Sequence, residues 1–408
     1  MSKLKPEDVF TPAAPAVGSI VYTRRRGPEQ QFEDTLNEQG TQVLVYGDSA
    51  IGKTSFVLTE LRHKKIEHVR VQCSSKMTWE QISSELLREL KEGIEHREVA
   101  AKAISPELSV NVYVAKAKLG GESSKQIEKI IGGKLGTVQH ITDILCKKKI
   151  SLVIDDFEKA RVSHTKVCVA NLAKNLSDRV GCGKSARVIV VGISDNADDL
   201  IEADLSIASR LQALKIPRMN DEEMEEILNV GFAKLGIRDE GTVISSLASS
   251  FGGFPKYAHG IGLEVSRAVF AAGERELTKD SVQRGIVAFL SRYCRDAKAR
   301  YNKATVVRGK PKAEYILIVK GLSEIGIPNE FTLDEAKQAV EDYMRKDSLG
   351  RTKHGEMFVI ERQMLRTILK RLSKPERGSM FTKSKITGKY RYSDPLSPIF
   401  INVGEYVV

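Results

Sequence analysis

Short apolar runs alternate with helical patterns from about Phe32 onward, the signature of a parallel α/β sheet. They predict strands at Gln42–Tyr46, His68–Cys73, Ile150–Ile154 and Arg187–Ile193, and a fifth at Gln212–Ile216 that Pro217 closes. The runs before Asp155 and Ser194 are continuously apolar, as expected of strands buried on both faces. Leu108–Gly121 alternates instead, like a half-exposed strand or hairpin, and reads as an insertion at about 100–121.

After Pro217 the pattern is wholly helical. Asn220 with Glu223 forms a capping box that opens a helix running to about Leu235, and further helices follow to about Tyr293. Arg292–Lys312 carries eight basic residues and one acid and ends in Gly309 and Pro311, so it reads as a linker. From Ala313 three helices precede two extended pieces, the second helix opened by a Thr332–Glu335 capping box. The expected division is an arm over 1–30, an α/β domain over 31–217, a helical region over 218–291, the linker 292–312 and a C-terminal domain over 313–408.

Composition adds limits. A chain of 408 residues is long enough for two or three cores. The net charge of +11 favours a polyanionic partner. The five cysteines are scattered without metal-ligand spacing, which suggests a reduced, cytoplasmic protein. The N-terminal stretch lacks the apolar core of a signal peptide, and no run reaches the length of a membrane span.

The chemistry begins at Gly47. Gly47, Gly52, Lys53 and Thr54 complete G-x-x-x-x-G-K-[ST] between a strand and a helix. In that setting Gly47, Asp48, Ser49, Ala50, Ile51, Gly52 and Ser55 present backbone N–H groups to phosphates, and the helix N-terminus adds its dipole. Lys53 is placed to reach the β- and γ-phosphates, and the Thr54 hydroxyl to hold Mg2+. About a hundred residues on, Asp155 and Asp156 close a buried strand. Asp155 is the expected second Mg2+ residue, through its water shell, and Asp156 the residue that orients or deprotonates water. Glu158 reads as a spare surface carboxylate. ATP and Mg2+ are the expected cofactors.

The phosphate loop, the Asp-Asp strand end, "VIVVGISDN", "SIASRLQALKIPRM" and "FGGFPKYAHGIG" together resemble an AAA+ ATPase, within that group most similar to the origin-recognition initiator-like ATPases. The resemblance spans nearly the whole chain past the arm. It implies an AAA+ nucleotide domain with a helical lid and a C-terminal winged helix. It implies that Ser194, or the adjacent Asp195 and Asn196, positions the lytic water. It implies that Arg210, with Arg218 as a weaker competitor, acts as an arginine finger on a neighbouring subunit's γ-phosphate, hence a homo-oligomer or a complex with a partner protein. It implies that Lys256 supplies the lid cation, where the family more often has Arg. The second acid of the pair is Asp156 where the family pattern has Glu, which points to slow or switch-like hydrolysis.

The C-terminal region carries its own signal. Leu365, Ile368, Leu369 and Leu372 form a buried stripe on one helix, with Arg362, Arg366 and Lys370 four apart on another face. Two Lys/Tyr-rich extended runs with Lys383, Lys385 and Lys389 follow as a wing. Glu361–Arg391 holds ten basic residues and two acids, so the positive charge is localised here and in the linker. A basic helix followed by a basic wing suits duplex DNA, held mainly through backbone phosphates; the same face also fits a solvated surface or a protein-docking module. The expected function is an ATP-hydrolysing, oligomerising, DNA-associated switch or loader, either initiator-like or a helper of a mobile element or defence system. The alternative is a STAND-type signalling ATPase whose winged helix packs on the nucleotide domain and leaves DNA alone.

Overall fold

The computed structural model describes residues 4–90, 136–182, 186–193, 207–239, 241, 243–325, 330–346, 360–384 and 387–404. The expected insertion at about 100–121 lies outside them. The chain forms two compact units, one of residues 15–18 and 24–217, the other of residues 1–14, 19–23 and 218–408.

The first unit is built on five strands: β1 (Gln42–Tyr46), β2 (His68–Gln72), β3 (Ser151–Asp155), β4 (Val188–Gly192) and β5 (Leu211–Lys215). Each lies within a residue or so of its predicted position. They pair in parallel in the order β2-β3-β4-β1-β5. The two-residue alternation of the pleat sends neighbouring side chains to opposite cores. Val43, Val45, Val153, Ile189 and Val191 face a core shared with helices α1 (Arg26–Asn37) and α2 (Lys53–His63). Leu44, Leu152, Ile154, Val188 and Val190 face the other, packed by α3 (Trp79–Glu89), α4 (Val138–Lys148) and α5 (Ser163–Asp178). Arg187, just before β4, is buried and donates to the carbonyls of Thr35, Leu36, Glu38 and Thr41, satisfying the C-terminal end of α1. Burial lowers its pKa to about 10.

The cysteine expectation needs correcting. Cys146 on α4 and Cys182 form a disulfide, with Cα atoms 4.5 Å apart, while Cys73, Cys168 and Cys294 are free and buried. Residues 36 apart in sequence gave no spacing signal; the packing of α4 beside the approach to β4 brings them together.

In the second unit α6 (Asp221–Leu235) starts at the expected box: the Asn220 side chain accepts from Glu223 N, and the Glu223 carboxylate accepts from Asn220 N. Helices α7 (Val243–Ser249), α8 (Pro255–Ala271) and α9 (Lys279–Tyr293) follow. The N-terminal segment, expected as an arm, contributes to this unit's core: Val9 and Phe10 are fully buried. The Phe10 ring lies against Gly231 of α6 and Gly262 of α8, where a Cβ would overlap it.

The expected linker is largely structured. Helix α10 (Arg295–Thr305) buries Ala297 and Ala304, and a two-residue-strand hairpin follows, β6 (Val306–Val307) with β7 (Lys310–Pro311). Its Ala, Lys and Arg content is that of a good helix former, which its charge concealed. Helices α11 (Ala313–Ser323), α12 (Leu333–Lys346) and α13 (Arg362–Leu372) then pack with the antiparallel pair β8 (Phe381–Lys383) and β9 (Tyr390–Tyr392) around one core. A final helix, α14 (Leu396–Gly404), has no counterpart in the sequence reading. Its prolines suggested irregular chain, but Pro398 sits in the first turn, where no amide donor is needed. The Asp394 side chain accepts from Leu396 N.

Among the described residues no helix is long and apolar enough to cross a membrane.

Candidate nucleotide site

The loop between β1 and α2 is shaped by backbone constraints. At Gly47 a Cβ would lie 2.7 Å from the carbonyl oxygen of Ile216, so only glycine lets the strand end pass this close to β5. Gly52 takes a left-handed φ of 88° and turns the chain into α2. Ile51 is buried in the core beneath, and the guanidinium of Arg25 donates to its carbonyl at 2.6 Å and to Pro217 O at 2.9 Å. Asp48, Ala50, Gly52, Thr54 and Ser55 are partly buried and Ser49 is exposed, so the loop is an accessible rim on a fixed base.

Lys53 folds back over this rim. Its Nζ donates to Gly47 O at 3.0 Å and Asp48 O at 2.8 Å. Burial lowers its pKa, and the carboxylates of Glu158, Asp155, Asp48 and Asp156 act against that shift. Thr54 Oγ1 donates to Asp155, 3.0 Å from both carboxylate oxygens. The two residues expected to share Mg2+ therefore meet across 101 positions of sequence. Their hydroxyl and carboxylate oxygens are the hard donors that Mg2+ takes alongside its waters.

Two features escaped the sequence reading. Arg70 on β2 donates from Nε and Nη2 to Asp155 Oδ2, at 2.9 and 2.7 Å. Gln72, two residues on, donates to Asp156 at 2.9 Å. The available signal was the alternation of β2 itself: His68, Arg70 and Gln72 are polar while Val69 and Val71 join the opposite core. Glu158, read as a surface residue, is half-buried. Its Oε2 is buried with no hydrogen-bond partner among the described residues, and it is the carboxylate acting most strongly on Lys53.

Asp156 sits in the left-handed region with φ 55°. Burial raises its pKa, but hydrogen bonds from Gln72 and from Lys159, 2.7 Å away, outweigh this and leave it below the usual carboxylate value. A carboxylate held this way is a weak base. Arg210 donates from Nε to Asp178 Oδ1, with Nη2 also 2.8 Å from that oxygen. Ser194, Asp195 and Asn196 lie outside the described residues.

In the second unit Lys256 is exposed in the first turn of α8, directly after Pro255. Arg218 lies over the Phe254 ring, 5.2 Å from its centroid. Arg362, Arg366 and Lys370 are exposed along α13, with Arg362 paired to Asp334 at 2.9 Å. On the β8–β9 pair Lys383 is exposed, its Nζ 5.3 Å from the centre of the Tyr390 ring, and Lys389 is partly exposed. Lys385 lies outside the described residues. Among the described residues no cluster of three or more His, Cys, Asp or Glu side chains is arranged to hold a metal ion.

No protein-family model and no curated protein matches this sequence. Solved structures do match over the whole chain. The Aeropyrum pernix ORC2 protein, in its ADPNP–ADP complexes, superposes with a TM-score of 0.52 at 14% identity, covering 99% of this chain and 97% of that one. A Walker-type ATPase of Pyrococcus abyssi gives 0.47 at 14% identity, covering 94% and 95%. Cdc6p from Pyrobaculum aerophilum gives 0.46 at 15% identity, covering 98% and 99%. The resemblance to the origin-recognition initiator-like AAA+ ATPases is thus a likeness of fold along the whole chain: a parallel α/β nucleotide-domain fold, a helical region, and a C-terminal module with small sheets.

Proposed function

We propose that this chain binds and slowly hydrolyses ATP and uses the nucleotide to control a DNA-associated assembly, as a switch or loader. The observation that carries this reading is the meeting of Thr54 and Asp155 at 3.0 Å beneath a glycine-bounded phosphate loop. ATP phosphates take the backbone N–H groups from Asp48 to Ser55, and Lys53 exchanges its carbonyl contacts for the β- and γ-phosphates. Thr54 and Asp155 hold Mg2+, which supplies charge neutralisation on those oxygens. Asp156 orients the attacking water; its hydrogen bonds to Gln72 and Lys159 limit its basicity, which suits slow turnover. Arg210 serves a neighbouring subunit after leaving Asp178.

The DNA part of the reading is supported by the exposed row Arg362, Arg366 and Lys370 on α13 and by Lys383 and Lys389 on the adjacent strand pair. The test is ATPase rate with and without duplex DNA for the wild type beside Lys53→Ala. The expected result is DNA-stimulated turnover that Lys53→Ala abolishes. A rate that ignores DNA, with DNA affinity indifferent to salt and to Arg366→Ala and Lys370→Ala, overturns the DNA-associated reading. Nucleotide binding unchanged in Lys53→Ala overturns the site itself.

A further inference from the structure

Residues 298–312 hold six basic side chains and no acid. The fold arranges the second half of this run as a tight hairpin in which Val306 pairs with Pro311 and Val307 with Lys310. Its two tip residues, Arg308 and Gly309, both take positive φ, 49° and 76°. A two-residue turn of this kind ordinarily places Asn, Asp or Gly first, because other side chains crowd the backbone there. An arginine in that position is unfavourable for the turn, so its guanidinium calls for a separate reason. Arg308, Gly309, Lys310 and Pro311 are all exposed, and among the described residues neither Arg308 nor Lys310 has a carboxylate partner.

The hairpin is fixed against the end of α13. Arg377, in the turn after that helix, donates from Nη1 to Val306 O at 3.1 Å. Tyr315 is buried at the junction with Lys312 Nζ 4.6 Å and Arg377 Cζ 5.8 Å from its ring centroid, while Arg371 Nη1 reaches its hydroxyl at 3.5 Å. Arg300 Nη1 donates to the carbonyls of Gly378 and Ser379. Three acids answer these cations: Glu314 pairs with Lys312 at 3.1 Å, Glu376 lies 3.7 Å from Lys374, and Asp394 faces Arg300 at the base, away from the hairpin tip. Lys312, Arg371 and Arg377 thus converge on Tyr315 at the base of the hairpin next to the end of α13, and the exposed tip adds Arg308 and Lys310. Like charges held this close repel, and a polyanion laid across them relieves the repulsion.

We propose that the Val306–Pro311 hairpin is a second DNA-contacting element, its tip cations Arg308 and Lys310 taking backbone phosphates of the duplex that α13 engages. This rests on the DNA reading given above and extends it to a part of the chain outside the helix and wing. Duplex phosphates fit the hairpin better than a protein face does. Among the described residues of the hairpin, Val306 is the one exposed large apolar side chain, whereas a protein interface is organised around a desolvated apolar centre.

The experiment is fluorescence anisotropy of a labelled duplex with the full chain across a salt series. It compares the wild type, Arg366→Ala/Lys370→Ala on the helix, and Arg308→Gly/Lys310→Ala on the hairpin. The hairpin variant is expected to bind about three- to tenfold more weakly and to lose about 1–2 from the slope of log affinity against log salt. Its thermal midpoint is expected to equal or exceed the wild type, because glycine suits the left-handed tip. Unchanged affinity and slope in the hairpin variant, with the helix variant weakened, overturns the hairpin proposal and leaves the DNA reading standing. A wild type that does not bind duplex overturns both. A hairpin variant that binds weakly only because its midpoint has fallen assigns the hairpin a structural role and overturns the proposal.

Discussion

Arg70 and Asp155 are joined by two hydrogen bonds that end on one atom: Nε and Nη2 of the guanidinium both donate to Oδ2, at 2.9 and 2.7 Å. Asp155 is 1% exposed and closes β3, and its other oxygen, Oδ1, accepts from the amide of Asp156 at 3.0 Å. The parallel register sets Gln72 beside Asp155, so Arg70 and Gln72 share the face that carries the acid pair. The carboxylate proposed to hold Mg2+ is thus already neutralised from within the sheet.

Removing that guanidinium leaves a buried carboxylate short of donors. Arg70→Met should destabilise the nucleotide-free protein by about 1–3 kcal/mol. Addition of Mg2+ with ATP should then raise the melting midpoint more in the variant than in the wild type, because the cation replaces the lost partner. Thermal denaturation with and without Mg-nucleotide checks this; equal shifts in the two proteins would show that the pair does not bear on metal binding.

Phe10 and the two glycines beneath it form a matched set. Gly262→Ala puts a methyl group into the ring and should cost about 1–3 kcal/mol through overpacking. Phe10→Ala alone should cost about 3–5 kcal/mol through the cavity it leaves. Combined, the two should cost clearly less than their sum, since the methyl then occupies part of that cavity. Urea unfolding of the four proteins measures the coupling directly.

His259 adds a pH dependence to the same region. Its Nδ1 accepts from Thr11 N at 3.2 Å, its ring meets Phe10 edge-on, and burial lowers its pKa to about 4. The folded state therefore binds fewer protons than the unfolded state between about pH 4 and the ordinary histidine value. Stability from this group is complete above about pH 6.5 and falls as pH drops toward 4, by roughly 2 kcal/mol at pH 5. His259→Gln should flatten the fall in unfolding midpoint between pH 7.5 and pH 5. A profile as steep as the wild type's would assign the pH dependence to other groups.

The Cys146–Cys182 bridge closes a loop of 36 residues. In the chain-entropy account a loop of that length contributes about 3–4 kcal/mol. Reductant, or Cys146→Ser, should lower the melting midpoint accordingly, with no further effect of reductant on the variant. Thiol counting by mass spectrometry before and after reduction identifies the cysteines involved.

The local pattern was legible wherever the physics is local. Strands β1, β3 and β4 follow from apolar runs buried on both faces, β2 and β5 from shorter, more exposed apolar patterns, and the starts of α6 and α12 from boxes in which donor and acceptor are three residues apart. The phosphate loop was readable because its shape is written in consecutive residues, Gly47 to Thr54. The acid pair was readable as a strand end.

What decided the rest was neighbours distant in sequence. Arg70 and Gln72 became partners of the acids only through the β2–β3 register, and Glu158 bears on Lys53 only once β3 lies beside the loop. Cys146 on α4 met Cys182 in the approach to β4, and Phe10 met Gly231 of α6 and Gly262 of α8, because tertiary packing brought them together. By itself the sequence determined that a glycine-bounded G-x-x-x-x-G-K-[ST] loop sits on a parallel sheet, since periodicity and a contiguous motif act within a few residues. Only the tertiary structure decided which charges surround that loop and how the basic run of 298–312 is bent into a hairpin beside α13, because burial and charge pairing are properties of surroundings that the chain acquires on folding.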